Sequence, residues 1–272
     1  MEILSWNIQA AKGVDEVIST DRIATEIKTF SDADVICLQE VLCTPQDNQP
    51  ADFARHFPEH TPVFGPAVDR RYGSDRLQFG NMVLSRLPIL QLTQHKLPQP
   101  PAPEVKHMPR QAIDVVLEHN NELLRVVTTH LDYFAIQQRA AQVKYLAAYH
   151  SECCNRFRSP SPSGGEEQFL QLSETASSIY CGDFNLTVDS DDYQTMLNET
   201  DRDNLLDCWR HAHSDTPHDA TCGIFDHVQW PEGAHCRDFF FATADIANRL
   251  TGMQVNTETP ASDHQPLKIS FR

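Results

Sequence analysis

The sequence predicts an α/β fold of two packed β-sheets with helices on their outer faces, and three observations carry that reading. Apolar runs of strand length alternate with segments of helical period, the alternation occurs once in each half of the chain, and the strand-like runs end on polar residues capable of chemistry. A rigid sheet that carries polar side chains at its strand ends presents a fixed constellation to a substrate.

The first element is Glu2-Ile3-Leu4-Ser5-Trp6-Asn7, whose alternation delivers Asn7 to a strand end. Thr20 then reads as the N-cap of a helix with Ile23, Ala24, Ile27 and Phe30 on one face. Ser31-Asp32-Ala33-Asp34 turns the chain back into Val35-Ile36-Cys37-Leu38-Gln39-Glu40, an apolar run that stops on a carboxylate. In the second half, strands at Ala112–Glu118 and Leu123–His130 flank the turn His119-Asn120-Asn121, which signals a hairpin. A helix with Ala140, Val143, Ala147 and His150 on one stripe leads to the strand Ile179-Tyr180-Cys181-Gly182-Asp183-Phe184-Asn185. Two segments read as surface loops. Residues 97–109 hold Pro98, Pro100, Pro101, Pro103 and Pro109, and residues 159–178 carry SPSPSGGEEQ; the second reads equally as a linker. Loops of this kind are where specificity is commonly written.

At 272 residues and 40% hydrophobic the chain can bury a large core, and motifs from both ends argue for one domain, 1–272. No stretch approaches the ~20 apolar residues of a membrane span, and Met1 leads directly into the first strand without a signal-type segment. A cytoplasmic location is the expectation. Reduced thiols are expected for the eight cysteines, with Cys37 and Cys181 inside apolar strands as small hydrophobes. The stretch Cys208–Cys236 also holds His211, His213, His218, His227 and His235, but no C-x-x-C pair supports structural zinc there. With 38 acids against 22 bases the formal net charge is −16, which disfavours generic tight binding to long nucleic acid. Arg70, Arg71, Arg76 and Arg86 around Tyr72-Gly73-Ser74 read either as a local basic patch or as solvated charges on a loop.

The ordered set SWNI, LQEV, GNMVLSR, TTHLD, GDFN, RDFFFAT and SDHQPL resembles the exonuclease/endonuclease/phosphatase superfamily, from Ser5 to Leu267. Each motif is weak alone; their order makes the resemblance strong. It implies a DNase I-like four-layer α-β-β-α sandwich, two mixed sheets flanked by helices, with the site along one edge. It also implies a Mg²⁺-dependent hydrolase of phosphate esters, with Mn²⁺ as a substitute, and leaves the substrate open because one fold hosts many functions.

Phosphate-ester hydrolysis needs a hard cation, a carboxylate for the attacking water, and donors for developing charge. Glu40, Asn7 and Asp263 are oxygen ligands of the kind Mg²⁺ prefers, although Glu40 alone also reads as a strand-terminal salt bridge. The resemblance places Asp183, as orienter of the water, and Asn185, as a donor two residues on, at the centre of the site; GDFN alone would read as an Asx-turn. His264 is the candidate donor to the scissile phosphate. Asp238 aligns with the aspartate of the family's R-x-D-Y-x-F pattern and would hold that imidazole, although this chain lacks the intervening residue after Arg237 and has Phe where Tyr is common, and Asp238 also reads as a strand cap. His130 resembles the family's phosphate-contacting histidine, with Asp132 at the same period. Arg110 and Tyr72 match poorly, and Asn81 reads as a turn residue.

The favoured expectation is a phosphodiesterase or nuclease, nucleic acid being the commonest substrate in the family. A small-molecule or lipid-headgroup phosphatase, of inositol phosphatase or sphingomyelinase type, stays open, with Phe225–Trp230 as a candidate membrane hairpin or an ordinary buried loop. A catalytically silent protein-binding scaffold would ordinarily have lost Glu40, Asp183 or His264, and all three are present.

Overall fold

In the computed structural model, which describes residues 1–162, 164–166, 169, 172–197, 202–214 and 216–272, the first half runs β1 (Glu2–Asn7), α1 (Thr20–Phe30), β2 (Val35–Cys43), α2 (Gln49–His56), β3 (Thr61–Tyr72) and β4 (Asp75–Ser85). Next come β5 (Ile89–Lys96), β6 (Gln111–His119), β7 (Glu122–His130), α3 (Ile136–Arg158), β8 (Ser178–Asp183), α4 (Asp191–Leu197) and β9 (Leu206–Asp207). The chain finishes with α5 (Cys208–His213), β10 (Asp238–Ala242), α6 (Ala244–Ala247), β11 (Leu250–Val255) and β12 (Leu267–Phe271). Two six-stranded mixed sheets form, ordered β11-β12-β1-β2-β4-β3 and β5-β6-β7-β8-β10-β9. Each has a parallel pair at its centre, β1 with β2 and β7 with β8, flanked by antiparallel neighbours.

Period two sorts the side chains into layers. Ile3, Val35, Cys37 and Val83 of the first sheet pack on Ile113, Val115, Val126, Cys181 and Phe240 of the second, forming the inter-sheet core. The alternate residues Leu4, Trp6, Ile36 and Leu38 meet Ile23, Ile27 and Phe53 of α1 and α2. On the far side Val127, Tyr180, Phe239 and Phe241 meet Val143, Leu146, Tyr193 and Met196 of α3 and α4. Helix, sheet, sheet and helix are therefore stacked, and each fully buried Val, Leu, Ile or Phe contributes about 1.5–3 kcal/mol to holding them so. Polar cross-links supplement the core. Gln39 donates to Thr128 Oγ1 at 3.0 Å and Asn81 to the Gln111 carbonyl at 3.1 Å, both from one sheet to the other.

Several local expectations need correction. Ser19, not Thr20, caps α1, its hydroxyl accepting the Arg22 amide at 3.1 Å. The β6–β7 loop is the two residues Asn120-Asn121, both at positive φ (53° and 63°), the primed turn that matches strand twist. On α3 the buried stripe is Gln138, Gln142, Val143, Leu146, His150, Cys153 and Cys154, so Ala140 and Ala147 sit at its margin. Residues 97–109 are irregular but partly buried, because Gln138 and Gln142 donate to the carbonyls of Pro100 and Pro98 and draw that loop onto α3. Within 159–178, residues 163, 167, 168, 170 and 171 lie outside the described residues. All eight cysteines are free thiols. The histidines between Cys208 and Cys236 disperse, His213 bonding the Met253 carbonyl and His218 the Asp207 carboxylate. No helix among the described residues is long and apolar enough to cross a membrane.

Candidate active site

The site opens where the inner faces of both sheets run out at one edge. Asn7, His130 and Asp183 are the last residues of β1, β7 and β8, and the inward set Ile179, Cys181, Asp183 shows how period two delivers the carboxylate. Strand register then fixes the neighbours: Asp183 pairs with His130 across the parallel β7–β8 ladder and with Asp238 across the antiparallel β8–β10 ladder. Gly182 is obligatory at this crossing. Its φ is 132°, and a Cβ there would lie 2.0 Å from the Thr129 carbonyl oxygen.

Glu40 reaches the site by a different device. The strand β2 does not end there but continues to Cys43, and Ile36 and Leu38 face the helices, so strict alternation would send Glu40 outward too. The register passes from Leu38↔Met82 to Val41↔Gly80, leaving Gln39 and Glu40 opposite Asn81 alone. This β-bulge, with Glu40 at φ 60°, turns its carboxylate back to the inner face, where Asn7 Nδ2 donates to Oε1 at 3.1 Å.

Hydrogen bonds lock the remainder. Asn7 Nδ2 also donates to Asp183 Oδ2 at 3.0 Å, and the Asn185 amide donates to Asp183 Oδ1 at 3.0 Å. His264 Nδ1 stands 2.8 Å from Asp238 Oδ2, its Nε2 is 3.7 Å from Asp183 Oδ2, and its carbonyl accepts from Trp6 Nε1 at 2.9 Å. His130 Nε2 lies 3.3 Å from Asp183 Oδ2 and its Nδ1 3.8 Å from Glu40 Oε1. Asp263 sits further out. Its Oδ2 accepts from Gln229 Nε2 at 2.7 Å and Trp230 Nε1 at 3.4 Å.

Electrostatics separate the two histidines. Burial alone would lower the His264 pKa, but Asp238, Asp183 and Asp263 outweigh it and hold the imidazole well above its ordinary 6.5, as the cation. Burial, with Arg110 and His264 nearby, keeps His130 well below 6.5 and neutral. Burial raises the Asp183 carboxyl to about 6, with Asp238 adding to it, and lifts Glu40 to about 7, with Asp263 adding.

Other expectations meet mixed outcomes. Asn185 lines the cleft, but β8 has ended by then; Asn185 is at φ 53° and its Nδ2 holds the Leu131 carbonyl at 3.0 Å, so a left-handed turn and not strand period places it. Asp132 likewise lies beyond β7, buried beside Arg110 (3.7 Å) and accepting the Ala135 amide. Arg110, a weak match by sequence, is buried at the cleft with Nε and Nη1 lacking a hydrogen-bond partner. Tyr72 is at the exposed tip of the β3–β4 hairpin, away from the cleft lining, and Asn81 lies in β4 rather than in a turn. The Phe225–Trp230 segment forms one wall: Trp230 is buried edge-on to the His264 ring (centroids 5.6 Å), whereas Phe225 and Val228 are exposed. The sequence marks Trp230 only as the end of a candidate membrane hairpin or buried loop, because loop return alone brings it against His264.

A hard divalent cation fits this donor set. The carboxylates of Glu40 and Asp183, backed by Asp238 and Asp263, lie near one permanent cation, Arg110, and one protonated imidazole, His264, and burial together with the neighbouring carboxylates raises the pKa values of the first two. Among the described residues, the ligand-type atoms of Asp183, Asp238 and His264 lie within 4.8 Å of one another. A His264 imidazolium engaged by Asp238 cannot ligate, so the oxygens of Glu40 and its neighbours are the better seat. The Asn7 amide has its NH₂ on Glu40 and Asp183 and its Oδ1 toward the Gln9 amide, so Asn7 serves a metal only after that amide turns.

Two packed mixed sheets, outer helices and a strand-end carboxylate–histidine constellation define a metal-dependent phosphoesterase, a hydrolase of ester bonds. The chain belongs to the endonuclease/exonuclease/phosphatase family, whose model matches residues 4–264. Comparison with curated protein sequences gives no match. Among solved structures it is similar to an endonuclease/exonuclease/phosphatase from Bacteroides vulgatus (20% identity, TM-score 0.72, covering 100% of this chain and 98% of that one). It is also similar to a mannosyl-6-phosphatase from Bacteroides thetaiotaomicron (17%, 0.71, 100% and 99%) and to truncated TDP2 from Caenorhabditis elegans (17%, 0.65, 99% and 96%). At these identities the likeness is one of fold.

Proposed function

We propose that the whole chain, 1–272, is one catalytic unit that hydrolyses phosphodiesters with Mg²⁺, Mn²⁺ substituting. The observation that carries this reading is the pairing of an oriented imidazolium, His264 on Asp238, with an elevated but still ionisable carboxyl, Asp183, in one buried edge site. Glu40, Asn7 and Asp263 would hold the cation, which supplies neutralisation of the phosphoryl oxygens. Asp183, fixed at Oδ1 by the Asn185 amide, orients the attacking water in line with the leaving group and takes its proton, a task suited to a carboxyl near pH 6. His264 donates from Nε2 to charge developing on the phosphate, with Asp238 fixing the ring, while neutral His130 and the unpartnered Arg110 nitrogens contact the phosphoryl oxygens. The net charge of −16 favours a small diester over long nucleic acid. We place the protein in the cytoplasm, in keeping with its free, mostly buried thiols.

A second reading, a phosphomonoesterase, draws support from the mannosyl-6-phosphatase neighbour. Hydrolysis of bis-p-nitrophenyl phosphate and p-nitrophenyl phosphate side by side, with Mg²⁺, Mn²⁺ or EDTA and Asp183→Asn as control, separates them. Metal-dependent release from the diester supports the proposal; release from the monoester alone moves the assignment to a phosphatase, and inertness toward both sinks it.

A further inference from the structure

The floor of the cleft is polar, but its rim is not. The cleft encloses about 980 Å³, and four segments border it, contributing Val14, Met108, Phe134, Phe225 and Val228 to the lining. The same segments carry Val17, Ile18, Val105 and Ile136, so a collar of solvent-facing apolar side chains surrounds the catalytic edge; Val228 is 95% exposed. Exposed apolar side chains gathered on the segments that border one cleft mark a site that meets an apolar group. From the collar a chain of edge-to-face rings descends to the catalytic imidazole: Phe134 on Tyr133 (4.8 Å, 89°), Tyr133 on Trp230 (5.5 Å, 87°), Trp230 on His264 (5.6 Å, 80°). A hydrocarbon group on a bound ester has a continuous aromatic wall to lie against.

The charges around the rim exclude the opposite reading. Lys12 is ion-paired to Glu16 at 2.9 Å, the Lys106 ammonium stands 4.3 Å above the Phe134 ring, and Arg110 lies in the floor beside Asp132. Glu16 and Asp226 also line the cleft. Among the described residues the lining therefore offers no guanidinium or ammonium array for a second phosphate, and the chain's negative charge repels polyanions and anionic surfaces alike.

We propose that the substrate is a dissolved phosphate ester bearing one aryl or medium-length alkyl group beside the reacting phosphate, with Phe134, Phe225 and Val228 as its specificity-determining side chains. The proposal rests on the phosphoesterase reading above. The test is a series of alkyl p-nitrophenyl phosphate diesters, methyl to hexyl, in detergent-free and vesicle-free buffer with Mg²⁺. Every member releases the same p-nitrophenolate, so reactivity is constant and only the hydrocarbon changes. Burial of even part of the added chain should raise kcat/KM by about tenfold or more from methyl to hexyl. The double variant Phe225→Ser, Val228→Ser should flatten that ratio to within about threefold. Leu92→Ser, which removes an equally exposed apolar side chain on the edge strand β5, should leave the ratio as in the wild type. Turnover of the methyl ester with no gain along the series, or a gain that survives the double variant with unchanged circular dichroism, overturns the collar and leaves the phosphoesterase standing. Inertness toward the whole series, bis-p-nitrophenyl phosphate and p-nitrophenyl phosphate overturns both.

Discussion

The strands β6 and β7 each serve two buried polar regions that differ in one respect, charge balance. On the outer face, beneath α3, Arg125 is fully buried with Nη1 on Asp114 Oδ2 and Nη2 on Glu174 (3.0 Å), while Tyr149 donates to the same Asp114 oxygen and Arg156 donates to Glu174 at 2.8 Å. At the inner edge Arg110, just before β6, and His130, at the end of β7, face Glu40 and Asp183. Burial alone would push Asp114, Asp183 and Glu40 upward. Under α3 His95, 4.0 Å away, and the bonds from Arg125 and Tyr149 overcome it and hold Asp114 below its ordinary value, whereas Asp183 and Glu40 remain raised. A buried cluster whose charges balance is scaffold; one left short of positive charge is completed by a ligand.

The largest contrast comes from breaking the balanced cluster. Arg125→Met strands Asp114 in a buried position and should cost about 3–5 kcal/mol in urea unfolding, with turnover per folded molecule retained. Equal loss of stability from Asp183→Asn would erase the distinction between the regions. Instead, Asp183→Asn and His264→Ala should each lower kcat on the diester by at least about two orders of magnitude, close to 2.7 kcal/mol, with the melting temperature of Asp183→Asn preserved. Saturating Mg²⁺, at about 100 times its dissociation constant, should stabilise the wild type by about 2.7 kcal/mol, seen as a rise in Tm that Glu40→Gln diminishes and Arg110→Lys does not.

The smallest effect is a pair of opposite pH dependences measured in EDTA. Glu40 titrates at about 7 in the fold against 4.5 ordinarily, so the stability it contributes is complete below 4.5 and is lost as pH rises through 7. Comparing Tm at pH 4.5 and 8 should show that loss in the wild type and not in Glu40→Gln, at on the order of 1 kcal/mol given the side chain's partial exposure. Asp114 is depressed, so its contribution is present above its ordinary 3.8 and declines as pH falls below it; the gap between wild type and Asp114→Asn should narrow as pH falls below 3.8. Parallel pH trends for the two variants would refute the comparison.

What sequence could show follows from the range of each interaction. The strands β1, β7 and β8, helix α1 and the Asn-Asn hairpin were legible because period, caps and turn residues are local, and the polar ends Asn7, His130 and Asp183 came with them. Asp238 and His264 were legible only through the ordered motifs, since nothing local pairs residues across the Cys236–His264 stretch. The turn that sets Asn185, the Arg110–Asp132 contact, the outer Arg125 cluster and the aromatic descent through Trp230 depend on chain segments meeting in space. For the same reason Glu40 was found as the end of a run when it is the middle of a strand.

That bulge is a dislocation in an otherwise periodic object. Up to Leu38 the strand is in one phase and from Val41 it is in the other, with the two residues between absorbing the slip. Removing either Gln39 or Glu40 would restore perfect periodicity, and the repaired strand would be the defective one. Its far half would keep its places on β4, Val41 still opposite Gly80, but one of the two inward groups, the Gln39 amide on Thr128 or the Glu40 carboxylate beside Asn7, would be gone. Insertions and deletions are usually judged by how much regularity they disturb; here tolerance runs the other way, and the chain is least permissive where its pattern already contains an error.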